Sequence, residues 1–266
     1  DAALTAERRT LSSDVAQASL MSSTWQVLSS RLGDDAEGTG LFSKFSKFEA
    51  ALSASVTSPE SGTQLAALLD SANAVVAELN SLSKLVSQQR SEADREIADG
   101  VNVVNKALKQ IEELNGLLVG VDGSTSQAAA LMDERQRTLD VIAEYLPIEV
   151  VPRAGGAIDV ITVEGVYLVA GKAKQLEFSP ANSFGADMTL DSGTLSGLTI
   201  DGQNLTPGAS SYAAVSSGMF GALFTLRDTD LPAFGAQLDT VANDLVTRLS
   251  NDSIDPTKTP GDFGLF

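Results

Sequence analysis

The sequence predicts an α+β fold, an elongated bundle of long helices with an inserted, mostly antiparallel β domain, and three observations carry that reading. Apolar residues keep a 3-4 spacing from Leu65 to Leu118. Residues 1–146 hold one of the eight prolines, and 11 of the 22 glycines fall between 148 and 221. Spacing of 3-4 gathers side chains on one stripe of a helix, whereas proline and glycine interrupt helices and favour turns. The expected division is a discontinuous helical rod domain of residues 1–147 plus 222–250, an inserted β domain of 148–221, and an irregular tail of 251–266.

In the first helix, Leu4, Leu11, Val15, Ala18, Ser22, Trp25, Ser29 and Leu32 form one stripe, expected to face inward, and Gly33 ends the run. After the acidic loop at 34–38, Leu41, Phe45, Phe48 and Leu52 make one face of a shorter helix. Ser58-Pro59 is a helix-start signal, because proline at the first helical position loses no amide bond. The stripe that follows runs through Leu65, Leu68, Ala72, Val75, Leu79, Leu82, Val86, Ala93, Ile97, Val101, Val104, Leu108, Ile111 and Leu118, with the polar positions Gln89 and Asn115 interposed. One extra residue between Ala93 and Ile97 breaks the heptad without ending the helix. A helix from 59 to 118 would be roughly 90 Å long, with Gly100 as its weak point, costing about 1 kcal/mol relative to alanine.

A turn at 121–124 leads to a helix over 125–146, whose Leu131, Leu139, Ile142 and Leu146 face inward and which Pro147 stops. Residues 148–163 read as two strands around a Gly155-Gly156 turn. Short strands are expected in VYLVAG, QLEFS, DMTLD and GLTIDG. Helical spacing returns at Leu231, Phe234, Leu238, Val241, Leu245 and Leu249, with Pro232 in the first turn. A single helix of that length cannot bury its own stripe, so it should pack back on the first helices.

Composition closes several functions. The chain has 266 residues, no cysteine and no histidine, which removes disulfides, thiolate nucleophiles, Cys/His zinc sites and imidazole bases. Its net charge of −17 repels phosphates and anionic lipid, and no basic patch opposes that field, so neither nucleic acid nor membrane is expected as a partner. No apolar run reaches the roughly 20 residues needed to span a bilayer, and DAALTAERRT lacks the features of a secretory signal.

No residue is put forward as catalytic, cofactor-binding or metal-binding. Asp34, Asp35 and Glu37 lack the calcium-loop pattern and read as a solvated loop. Asp262-Phe263-Gly264 matches a kinase tripeptide without the histidine its catalytic loop requires. Glu92, Asp94, Glu96 and Asp99, interleaved with Arg90 and Arg95, read as a solvated helix face. Asn73, Asn80, Asn105 and Asn115 lie near the long apolar stripe, where a buried asparagine fixes register and an exposed one does not.

Four segments together resemble one family, the flagellar hook-associated protein 1 of bacteria. VNVVNKALKQIEELN (101–115) is similar to the family's V-N-x-(I/L)-x-x-Q-I-x-x-L-N helix. ALMDERQRTLDVIAEYLPIEVV (130–151) looks like its Leu-hydrophobic-Asp-x-Arg-Asp helix running into a strand, with Gln136 in place of the second Asp. GALFTLRDTDLPAFGAQLDTVANDLVTRLSN (221–251) resembles the return helix with Arg-Asp, Leu-Pro and Gln-Leu-Asp, and DPTKTPGDFGLF the stretch after it. Gln64 stands where an Arg after the Pro is common. Order and spacing agree over most of 59–266.

The resemblance implies a structural, non-enzymatic subunit joining flagellar hook to filament, without cofactors. Its partners would be hook protein, the second hook-associated junction protein and copies of itself. It implies an extracellular place in the flagellum, reached by type III export of an unfolded chain without a cleaved signal peptide, with which the lack of cysteine is compatible. The family's two terminal segments, which pair as the innermost coiled coil of the axial tube, have no counterpart in these residues. The chain therefore looks like a core fragment, expected to be monomeric in solution. Other readings are a flagellin-like axial protein, a coiled-coil cell-surface adhesin or scaffold, or, more remotely, an enzyme.

Overall fold

The computed structural model describes residues 2–34, 38–181, 184–185 and 187–250. The expected tail of 251–266, the tripeptide at 262–264, and Asp35 and Glu37 of the acidic loop lie outside the described residues.

Four helices come first: α1 (Ala2–Leu32), α2 (Gly40–Thr57), α3 (Gly62–Val119) and α4 (Ser126–Tyr145). Seven short strands follow: β1 (Ile148–Pro152), β2 (Ile158–Thr162), β3 (Tyr167–Ala170), β4 (Lys172–Ala173), β5 (Leu176–Glu177), β6 (Thr199–Ile200) and β7 (Gln203–Asn204). Then come α5 (Gly218–Thr225), a π-helical turn over Leu226–Asp230, and α6 (Leu231–Leu249). Strands β1-β2-β3-β4 make one sheet and β5-β6-β7 another, and every pairing is antiparallel. This is the α+β fold that the sequence predicts.

Local chemistry sets the boundaries. Pro59 sits in the turn before α3 instead of opening it. The Ser61 side-chain oxygen accepts the Gln64 N–H at 3.4 Å and its carbonyl the Leu65 N–H at 3.1 Å, so Ser61 caps the helix start. Thr125 caps α4 through a 3.2 Å bond from the Ala128 N–H. That helix ends at Tyr145, since the residue before a proline is pushed out of the helical region.

The chain divides into two units, Asp1–Ser22 with Arg90–Asp230, and Ser23–Gln89 with Leu231–Phe266. In the first, Ile97, Val104, Leu108 and Ile111 of α3 share one core with Leu139 and Ile142 of α4, Val160, Leu168 and Val169 of the first sheet, Leu176 and Ile200 of the second, and Phe220 and Phe224 of α5. In the second, Phe48 of α2 packs with Leu68, Ala72 and Val75 of α3, flanked by Leu245 and Leu249 of α6. Trp25 of α1 meets Phe234 of α6 edge-on at 6.1 Å.

Two further local expectations are corrected. The α1 stripe does not face inward: Leu4, Leu11 and Val15 are 65%, 58% and 67% exposed, while Arg9, Ser13, Thr24 and Leu28 are buried. In the first unit, α1 meets main chain and carboxylate, which favour a small and polar face. The Gln17 Oε1 accepts the Gly218 N–H at 3.2 Å. Gly218 (φ 82°) lies so close that a methyl there would stand 2.6 Å from the Tyr145 carbonyl oxygen and 2.9 Å from the Ser13 hydroxyl.

DMTLD (187–191) is a turn and not a strand, because the hydroxyls of Thr189, Ser192 and Thr194 capture nearby main-chain groups, offering the backbone an alternative to a ladder. The return helix α6 opens at Leu231, where its spacing predicts, but further helical structure precedes it. Helical structure starts at Gly218 and widens to a π turn just before Pro232, which lacks the N–H for the carbonyl four residues back and would crowd it in a regular helix.

Candidate functional site

Main-chain groups of the strand-and-loop region need partners, and α3 supplies several of them. Asn105 donates to the Leu176 carbonyl (2.9 Å) and accepts the Leu176 N–H (2.8 Å), so its amide imitates a strand neighbour. Asn115 does the same at Ile158, at 2.8 and 3.1 Å. Between them, the Glu112 carboxylate accepts the Ala173 N–H at 2.8 Å. That bond, then the ion pair with Lys109, holds Glu112 below the usual carboxylate range. Asn73 and Asn80 are exposed. The asparagine ambiguity in the sequence is resolved by which of them meet an unpaired main chain.

About three to four turns earlier on α3 lies a buried ionic cluster that sequence reasoning placed at the surface. Arg90 is 3% exposed, Asp94 1% and Arg227, from the π turn, 0%. The Arg227 guanidinium donates to Asp94 Oδ1 at 2.6 Å and to both oxygens of Asp228 at 2.8 and 2.9 Å. It also donates to the Ser196 carbonyl at 3.0 Å. The other Asp94 oxygen accepts the Ala181 N–H at 2.6 Å. Arg90 donates to the carbonyls of Arg227 (2.9 Å), Gly185 (3.2 Å) and Met188 (2.5 Å). Phe224 and Phe178 stack on Arg227 at 4.7 and 5.6 Å, and Phe184 on Arg90 at 5.3 Å.

Burial raises the Asp228 carboxyl above the usual range, against the pull of Arg227 and Arg90. Burial also lowers Arg90, against Asp228. The expected solvated face is thus corrected for Arg90 and Asp94. Arg95 does pair with Glu92 on an exposed surface. Two signals were legible: Arg90 and Ala93-Asp94 fall beside the stripe positions Val86 and Ile97, and an Arg-Asp pair stands at 227–228.

A third junction ties α1 to α4. Asp140 accepts from Arg8 at 2.7 and 2.6 Å, from Arg9 at 3.0 Å and from Gln136 at 3.2 Å. Gln136 thus donates where a carboxylate would repel Asp140.

Chemically, these arrangements hold chain to chain. Asp94 and Asp228 are committed to guanidinium and main-chain donors. Among the described residues, no group of three or more acidic side chains is placed to hold a metal ion. No helix among them is long and apolar enough to cross a membrane.

The family model for the flagellar hook-associated protein FlgK helical domain matches residues 27–253. A comparison with curated proteins finds no match. Among solved structures, the flagellar hook junction protein FlgK from Burkholderia pseudomallei shares the fold, with a TM-score of 0.69 at 18% identity. That likeness covers 93% of this chain and 43% of the other, so the chain spans less than half the length of that protein.

Proposed function

Because the chain belongs to the family of the flagellar hook-associated protein FlgK helical domain, we propose that it is part of a structural subunit of the bacterial flagellum that joins hook to filament. The observation that carries this reading is the family match over residues 27–253. The fold shared with a flagellar hook junction protein supports it.

The protein works mechanically and not as an enzyme. Such a role requires that torque pass through the subunit without shearing it. The ladder from Arg90 to Asn115 answers that need, since five side chains of one helix hold main-chain groups at Ile158, Ala173, Leu176, Ala181, Gly185 and Met188. Helices 1–147 with 222–250 form the rod that meets neighbouring subunits, and the inserted segment 148–221 is carried on it.

The partners are hook protein, the second hook-associated junction protein and further copies of itself, meeting through head-to-tail contacts of the kind that build open helical assemblies. The site of action is extracellular, reached by type III export of the unfolded chain. Deleting the gene in its source bacterium tests the assignment. Hooks of normal length without filaments, with filament protein released to the medium, are the expected outcome; normal filaments on every hook overturn it.

A further inference from the structure

Among the described residues, the first sheet has an open edge. Strand β1 pairs, among the described residues, with β2 alone, and the bonds from the Arg153 N–H to the Ala157 carbonyl (2.8 Å) and from the Val163 N–H to the Pro147 carbonyl (3.3 Å) set the phase of that ladder. Antiparallel ladders alternate, so odd-numbered residues of β1 turn their main-chain groups toward β2 and Val150 turns its own away. Among the described residues, nothing is hydrogen-bonded to the N–H or C=O of Val150 on that side. Natural sheets cover such edges or blunt them with charge. Here Pro152 removes one N–H from that side, and the edge forms one wall of a groove of about 480 Å³, with Ala6 and Arg9 of α1 and Met132, Arg135 and Leu139 of α4 on the other side.

Two guanidiniums in this groove have unused capacity. Arg9, its side chain 7% exposed, gives its Nε to Asp140 and has no partner for its terminal nitrogens among the described residues. Arg135 donates only to neutral acceptors, Asn115 Oδ1 at 3.2 Å and the Gly156 carbonyl at 2.7 Å, and no carboxylate among the described residues pairs with it. Burial lowers its guanidinium below the ordinary value, the expected effect of partial desolvation without a counter-ion. Glu149 also borders the groove, but successive strand residues project to opposite faces, and its side chain is exposed while Ile148 is buried.

We propose that this groove takes an extended peptide segment of a partner chain, which adds to β1 as a further strand and places a carboxylate on Arg135. Main-chain pairing supplies the general attraction, and the missing counter-ion supplies the selectivity. The proposal does not depend on the flagellar assignment.

The test is a titration of the ¹⁵N-labelled protein with a blocked Thr-Val-Glu-Val-Thr peptide, its glutamine counterpart and a version N-methylated along the pairing edge. The Ile148 and Val150 amides should shift, with the glutamate peptide binding roughly tenfold more tightly than the glutamine one. The N-methylated peptide should not bind, and Arg135→Gln should abolish the preference for glutamate. Unmoved β1 amides at millimolar peptide, equal binding of the N-methylated peptide, or a preference surviving in Arg135→Gln overturns the proposal. Should that variant fail to fold by circular dichroism, the three peptides against the unmodified protein decide the matter.

Discussion

Removing the Asp94 carboxylate strands the Arg227 guanidinium, which is 0% exposed, and frees the Ala181 N–H that it holds at 2.6 Å. Asp94→Ala is therefore expected to cost about 3–5 kcal/mol, read as a lowered urea midpoint at unchanged slope. The double variant with Arg227→Met should recover part of that loss, because replacing a buried pair with apolar groups is far less costly than leaving half of it. Glu96 makes a separate case. Burial, then the charges of Glu92 and Asp99, raise its carboxyl above the usual range. The folded state therefore holds that proton more tightly than the unfolded chain. Stability is lost as pH rises from the unfolded value through the folded one. Glu96→Gln should accordingly raise the melting temperature at pH 7, and the gain should vanish in melts below about pH 4, where both states are protonated.

At the scale of elements, Gly100 shows how a residue poor for its helix can be right for its packing. A methyl there would stand 2.6 Å from the Tyr145 ring and 2.9 Å from the Phe220 ring. These two rings themselves lie 5.3 Å apart. Gly100→Ala should thus destabilise by about 1–2 kcal/mol despite its gain in helix propensity. A methyl at Gly116, in the same helix, meets nothing within 4 Å, so Gly116→Ala should stabilise by about 0.5–1 kcal/mol. Thermal melts of the two variants side by side check both. The existence of α2, α3 and α4 and most of their buried faces were legible from apolar spacing, though Leu65, at the start of the α3 stripe, is 45% exposed and Leu131 of α4 is half-buried. The α1 face was not, since Leu4, Leu11 and Val15 are spaced as a buried stripe is, yet the neighbours of α1 offer a carboxylate and a glycine main chain. Spacing reports which residues share a face, and not what lies opposite it.

For the whole molecule, the proposed role sets an expectation in solution. The chain carries −17, and self-repulsion of that kind favours the monomer. Light scattering at micromolar concentration should give about 28 kDa, a mass near the monomer's 27.6 kDa; a stable larger species would contradict the expectation.

The sequence by itself determined the α+β class, the run of long helices, the antiparallel β segment between them and the kinship carried by the residues of 101–115, 130–151 and 221–251. These follow from periodicity, turn chemistry and residue order, all local along the chain. Only the tertiary structure decided that Arg90, Asp94 and Arg227 are interior, that Asn105 and Asn115 stand in for strand neighbours while Asn73 and Asn80 do not, and that β1 keeps an open edge among the described residues. Whether a charge or an amide is buried depends on partners far away in sequence, 133 positions apart for Asp94 and Arg227. No local pattern encodes that distance.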